Sequence, residues 1–247
     1  MKMDIEDLKN TDWNKIDYHK LKDLLEKFGE REYAEFNRRI TPNMEESYGV
    51  RMPILRKIAN NIGKSSELSA IYRCLSIKNT HDEKLLQGML LPKFKFLTEE
   101  EMMNTIDEYI LRINNWALCD SFISSLRPIV VKNKETFLNK VGGYIESSNP
   151  WKIRFGLILL NNYYCEGQYL EIIFQRASSV KSEHYYVKMA IAWLISTCYA
   201  TDKGKTIKFL SDRNIDKWCT NKAIQKIIES HRVPREEKEM VKKLKIQ

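Results

Sequence analysis

The chain has 247 residues, 43% of them hydrophobic and 30% charged, enough apolar material for one sizeable core or one extended array of repeats. With 9 glycines and 6 prolines it lacks the turn residues of an all-β chain. The formal charge of +8 favours a polyanionic partner, nucleic acid before an anionic membrane surface, although a merely solvated basic surface carries the same excess.

In chain order, DYHKLKDLLEKF is amphipathic at helical spacing, one of several helices expected in the N-terminal part. A loop from Glu46 to Met52 leads into ILRKIANNIG, with Pro53 suited to a helix start and Gly63 to its end. Thr80-His81-Asp82-Glu83 is a capping box before KLLQGMLL, and Thr98-Glu99-Glu100-Glu101 is another before MMNTIDEYILRI. Asn114 precedes WALCDSFISSLRPIV, and Asn149-Pro150 opens WKIRFGLILLNNYY. Ser182 opens EHYYVKMAIAWLISTCYA, and Thr220 opens NKAIQKIIESH. These five openings are 34, 35, 33 and 38 positions apart, with the shorter helical stretches TEEEMMNTIDEYILR, KETFLNKVGGYIES, QYLEIIFQRAS and KGKTIKFLSDR between them.

Two helices per unit at this period predict an all-α fold: a right-handed α-solenoid of HEAT-like helical hairpins with a concave basic face. No linker divides the chain, so one domain is expected over 1–247, with N-terminal helices to about 78 and repeats over about 79–235.

Four residues stand out for chemistry. Trp116 and Asp120 are four apart, which a helix places on one face. Arg154 falls just before a nearly continuous apolar run, and Trp193 sits in the apolar stretch KMAIAWLISTCYA. Each has a structural reading: Trp116 sealing a helix start, Asp120 facing water, Arg154 snorkelling or pairing with a carboxylate, Trp193 buried in the core. The functional reading sets indole faces and a carboxylate beside a cationic species, with the planar guanidinium on a phosphate. Arg51, in the loop Tyr48-Gly49-Val50-Arg51 before a helix, suits a phosphate contact, with a plain turn as the equal alternative. Lysines recurring in several units, Lys152 and Lys188 among them, could follow a phosphate backbone, and Trp151, Tyr185 and Tyr186 could supply stacking surface or core packing.

Other chemistries find little support. The 5 cysteines form no CxxC pair and the 4 histidines no ligand spacing, so neither a metal nor a cofactor is expected. There is no P-loop, GxGxxG, HExxH or GxSxG. MKMDIEDLKN has no apolar h-region and no apolar run approaches a membrane span, so a cytoplasmic protein is expected.

The segments NNWALCDSF, NPWKIRFGLILL and KMAIAWLISTCYA resemble the DNA alkylation repair family of HEAT-like-repeat DNA glycosylases (AlkD-like), from about Tyr33 to about His231. The resemblance implies hydrolysis of the N-glycosidic bond of N3- and N7-alkylated purines in double-stranded DNA by a monomer. It implies Asp120 as the catalytic carboxylate, Trp116 and Trp193 flanking the damaged nucleotide, and Arg154 holding the backbone. A further aromatic that some members place near the N-terminus has no secure match, Phe36 standing nearest. Ala117, Leu118 and Cys119 depart from the more polar or aromatic residues expected between Trp116 and Asp120. The competing readings are a HEAT-like DNA-binding protein without catalysis and a protein-interaction scaffold.

Overall fold

In a computed structural model the described residues are 4–13 and 18–246, and all of their regular structure is helical. Asp17 of the first amphipathic segment and residues 1–3 of MKMDIEDLKN lie outside the described residues. The chain divides into two compact units, 1–129 and 130–247.

The first unit holds a short 3-10 helix, Ile5–Asn10, followed by α1 (Tyr18–Phe28), α2 (Arg31–Ile40), α3 (Met52–Ile62), α4 (Leu68–Ser76), α5 (His81–Leu90), α6 (Glu99–Ile110) and α7 (Trp116–Ser125). Helix α5 is its centre: α3, α4 and α7 all pack on it, and all ten of its residues are buried. Burying HDEKLLQGML works only because its polar groups have partners. Asp82 accepts hydrogen bonds from Ser47 Oγ (2.6 Å), Tyr48 N (2.9 Å) and Val50 N (2.9 Å). Lys84 pairs with Glu45, and the Lys84 carbonyl accepts from Tyr109 Oη at 2.7 Å. The loop clasped by Asp82 turns at Gly49, whose φ of 78° is open to glycine, and a Cβ there would collide with the Glu30 carbonyl.

The second unit holds α9 (Lys134–Ile145), α10 (Pro150–Tyr163), α11 (Leu170–Ser179), α12 (Tyr185–Thr201), α13 (Lys203–Ser211), α14 (Lys217–Glu229) and α15 (Arg235–Lys242). Helix α10 packs on both α9 and α12, and α12 in turn packs on α14. Helices apolar on every side must be covered on every side. Accordingly α10 exposes little beyond Asn162, and Phe155, Leu157, Ile158, Leu159 and Leu160 are fully buried. Each such side chain contributes roughly 1.5–3 kcal/mol. The remaining helix, α8 (Arg127–Lys132), spans residues 129 and 130.

Both capping boxes form as the sequence predicts, at Thr80 with Glu83 and at Thr98 with Glu101. Four expected helix limits move. The α7 cap is Asn115, whose side chain accepts from Leu118 N at 3.0 Å, one residue beyond Asn114. That helix stops at Leu126 instead of running through RPIVV, since Pro128 has no N–H to continue the ladder. Helix α12 opens at Tyr185 rather than Ser182, and Asp216, not Thr220, caps α14. The caps Thr80, Asn115, Asn149, His184 and Asp216 are therefore 35, 34, 35 and 32 residues apart, a tighter recurrence than the sequence estimate.

Candidate catalytic carboxylate and nucleic-acid interface

In the first unit, Trp116 and Asp120 belong to the accessible stripe of α7, which also carries Ala117, Ser121 and Ser124. The opposite stripe, Leu118, Cys119, Phe122 and Ile123, is buried. Of the three residues that depart from the family pattern, Leu118 and Cys119 are thus packing residues, and only Ala117 borders the candidate site.

The start of α7 is held by side chains from earlier in the chain. Trp116 Nε1 donates to the Ile40 carbonyl (3.0 Å), which fastens the indole to the end of α2. Asn114 Nδ2 donates to the Asn43 carbonyl (3.1 Å) and to Glu45 Oε1 (2.7 Å), and Glu45 is also the partner of Lys84. Asn115 is completely buried, and its Nδ2 donates to Asn114 Oδ1 at 2.9 Å. One polar chain therefore runs from the half-buried Lys84–Glu45 pair to the cap that sets the α7 axis. Asn43 takes a φ of 60°, a left-handed conformation that asparagine tolerates better than most side chains.

Arg51 stands at the cap of α3 with both arms of its guanidinium on Glu30, at 2.8 Å and 2.8 Å, and its carbon 4.7 Å from the Tyr33 ring centroid. Hydrogen bonding to this fork is the main reason that the Glu30 carboxyl titrates below its usual range. The Gly49 amide donates to Ser47 Oγ at 3.0 Å, so with the two held by Asp82 the consecutive amides of Tyr48, Gly49 and Val50 all have protein acceptors. What it presents outward is the Arg51 side chain rather than a nest of amides. Phe36 and Ile40 on α2 are exposed.

In the second unit, Arg154 is buried at 4% exposure and donates through Nη1 to the Tyr186 carbonyl at 2.7 Å. Trp193 keeps 40% of its surface exposed despite its apolar helix, which removes the reading of a core residue. Tyr186, seven residues earlier and so two turns back on one face, joins a group of rings: its centroid is 5.7 Å from Trp151 and 5.1 Å from Tyr185. Lys152 Nζ lies 5.7 Å from the Tyr144 ring centroid. Lys188 Nζ meets Glu183 (3.0 Å) and Asp216 (3.4 Å), and the Glu183 bond is the first cause of its raised pKa.

Two participants escaped the sequence reading. Trp218 is 37% exposed near the start of α14, and its ring stands 5.8 Å from Tyr185. Its signal was available: Trp116, Trp151 and Trp218 each fall within two residues after an Asn or Asp cap. The second is His184, edge-on to Trp151 at 5.2 Å. Burial first, then the nearby Arg154 charge, lowers its pKa.

The folded chain thus prefers the neutral ring of His184, whereas the unfolded chain protonates it near the ordinary value of about 6.5. Its stabilising contribution is complete above that value and is lost as the pH falls below it. His81, lowered mainly by burial, acts in the same sense, while Glu83, raised mainly by burial, opposes both. The informative quantity is therefore a difference between proteins. Between about pH 7 and about pH 5.5 the melting temperature of His184→Gln is expected to fall less than that of the wild type. Equal falls, followed by calorimetry, would contradict the assignment.

Among the described residues, no group of three or more His, Cys, Asp or Glu side chains is placed to hold a metal ion, and no helix is long and apolar enough to cross a membrane. A protein whose described residues fold into helices, with an accessible tryptophan and a carboxylate on one helix stripe of the first unit and a tyrosine–tryptophan group with lysines on the second, is suited to nucleic-acid chemistry. Residues 21–227 match the family model described as DNA alkylation repair enzyme, and the chain belongs to that family. A comparison with curated proteins finds no match.

Proposed function

We propose that the protein is a monofunctional DNA glycosylase that hydrolyses the N-glycosidic bond of cationic N3- and N7-alkylated purines in double-stranded DNA, initiating base excision repair. The observation that carries this reading is the accessible Trp116–Asp120 pair on α7, in a chain whose family is DNA alkylation repair. The recurrence of caps every 32 to 35 residues supports reading the helices as HEAT-like pairs arranged as an α-solenoid with a basic concave face. The reading treats 1–247 as one functional domain, acting as a monomer in the cytoplasm, associated with the nucleoid when on DNA, without metal or cofactor.

The chemistry needs little from the protein. Alkylation at N3 or N7 already makes the purine a cation, so it departs without a strong general acid. As the bond from C1′ to the base nitrogen breaks, its electron pair neutralises the base and positive charge passes to the sugar. Asp120 stabilises that charge and orients the water whose oxygen bonds to C1′. The water's proton passes to Asp120 and on to solvent, leaving free base and an abasic site. The indole faces of Trp116 and Trp193 favour the cationic base and sugar by roughly 0.5–2 kcal/mol each. Arg51, Lys152 and Lys188 are assigned to the phosphate backbone; Arg154, enclosed at 4% exposure with Nη1 on the Tyr186 carbonyl, has to turn outward to join them.

The experiment is incubation of the purified protein with methylated duplex DNA, with chromatography of the released bases. Release of 3-methyladenine or 7-methylguanine well above the spontaneous rate is expected. DNA binding without any release would leave the non-catalytic DNA-binding reading in its place.

A further inference from the structure

The second unit carries a run of aromatic rings and cations that extends beyond the residues assigned to the lesion. It crosses the opening turns of three helices packed in series, α10, α12 and α14. Ring centroids follow one another from Trp151 to Tyr186 (5.7 Å), Tyr186 to Tyr185 (5.1 Å) and Tyr185 to Trp218 (5.8 Å). Cations accompany them: Arg154 lies 5.9 Å from the Tyr186 centroid and Lys188 Nζ 5.6 Å from that of Trp218. The rings change from buried to open along the run, from Trp151 at 9% exposure to Tyr185 at 54% and Trp218 at 37%.

At its open end lies a groove of about 450 Å³, lined by Lys217, Trp218, Asn221, Lys222, Gln225 and Lys245. Three lysines, two amides and an indole make up this lining, and no carboxylate is among them. The groove has a fixed wall. Asn221 Nδ2 donates to the Ile246 carbonyl (2.9 Å) while Ile246 N donates to Asn221 Oδ1 (2.8 Å), so the segment bearing Lys245 is fastened to α14. Glu183 and Asp216 lie nearby and both meet Lys188, which offsets one of their two charges, so the three groove lysines remain in excess.

We propose that this groove is a lesion-independent anchor for duplex DNA, with Lys217, Lys222 and Lys245 on backbone phosphates and the Trp218 and Tyr185 rings packed against the adjoining deoxyriboses. The proposal rests on DNA being the partner but not on catalysis. Charge complementarity selects the occupant: a groove lined by three lysines and no carboxylate suits a polyanion, and the exposed rings beside it have the deoxyribose edges of a duplex to pack on.

The test is binding of an undamaged fluorescent duplex across a salt series, read by anisotropy. The variant Lys217→Gln/Lys222→Gln/Lys245→Gln is compared with a control of equal charge, Lys9→Gln/Lys57→Gln/Lys64→Gln. The groove variant is expected to bind roughly 10-fold or more weakly and to flatten the slope of log affinity against log salt by about 2 to 3. Trp218→Ala is expected to weaken binding roughly 3-fold or more through lost apolar contact with the sugars, with Trp218→Phe close to wild type. Circular dichroism establishes that each variant is folded. A groove variant no weaker than the control overturns the proposal, as does inorganic phosphate displacing the duplex at equal ionic strength where sulfate does not, since that marks a small-anion site. Wild-type protein that shows the salt slope but releases no base overturns the glycosylase reading alone.

Discussion

Asp120→Asn is expected to lower single-turnover release of 7-methylguanine or 3-methyladenine by about 100- to 1,000-fold, the range associated with losing one preorganised electrostatic group. The substitution retains the shape of the side chain, removes its charge and exchanges one acceptor oxygen for an amide donor. That charge attracts the cationic base already in the bound substrate, but it acts most strongly as positive charge passes to the sugar beside it, so most of the loss belongs in the chemical step. Affinity for undamaged duplex is expected to stay within about twofold of wild type, because phosphate contacts by other residues dominate it. Asp120→Glu, which retains the charge but moves it, should recover part of the rate. Release by Asp120→Asn within tenfold of wild type would remove Asp120 from the mechanism, whatever the fate of the family-level activity.

The second large effect is on stability. Asp82→Ala is expected to cost about 3 kcal/mol or more, because three donors (the Ser47 hydroxyl and the amides of Tyr48 and Val50) lose their acceptor at a site 1% exposed. At the usual conversion for chains of this size, that is a fall of about 6–12 °C in melting temperature. Ser47→Ala, which removes one donor to Asp82 and the acceptor of the Gly49 amide but leaves Asp82 its two amides, should cost less, about 1–2 kcal/mol. The order is diagnostic. Melting curves with Asp82→Ala no worse than Ser47→Ala would mean that the clasp does not hold the loop. Since the loop leads directly to Arg51 and its bond to Glu30, Asp82→Ala should also loosen that pair, visible as faster amide exchange over residues 46–51.

Most of the helical layout was legible because its signals are local. A capping box, an Asn-Pro start or an apolar stripe is complete within a few residues, and Thr80, Thr98 and Asn149 cap as their neighbours indicate. The misplaced limits at Ser182 and Thr220 have a common cause: several polar residues precede those helices, and propensity alone does not choose among them. The buried charges were not legible at all. HDEKLLQGML reads as an ordinary amphipathic helix, yet its Asp82 and Lys84 are buried because acceptors and donors from residues 45–50 reach them.

The candidate site divides in the same way. The spacing of Trp116 and Asp120 determines by helix geometry alone that they share a face, and local capping determines that each of α7, α10 and α14 opens with a tryptophan. Exposure was a different matter, because it depends on which distant segments pack over a residue. Trp193 sits in a helix apolar enough to be wholly buried and is open, whereas Arg154, beside it in the sequence reading, is enclosed with its guanidinium on the Tyr186 carbonyl. Trp116 is tied by its indole N–H to Ile40, 76 residues away. Periodicity and caps therefore determine where the helices lie and which side chains share a stripe. Contacts between residues far apart in the chain decide which of those stripes meets solvent, and no local pattern encodes that.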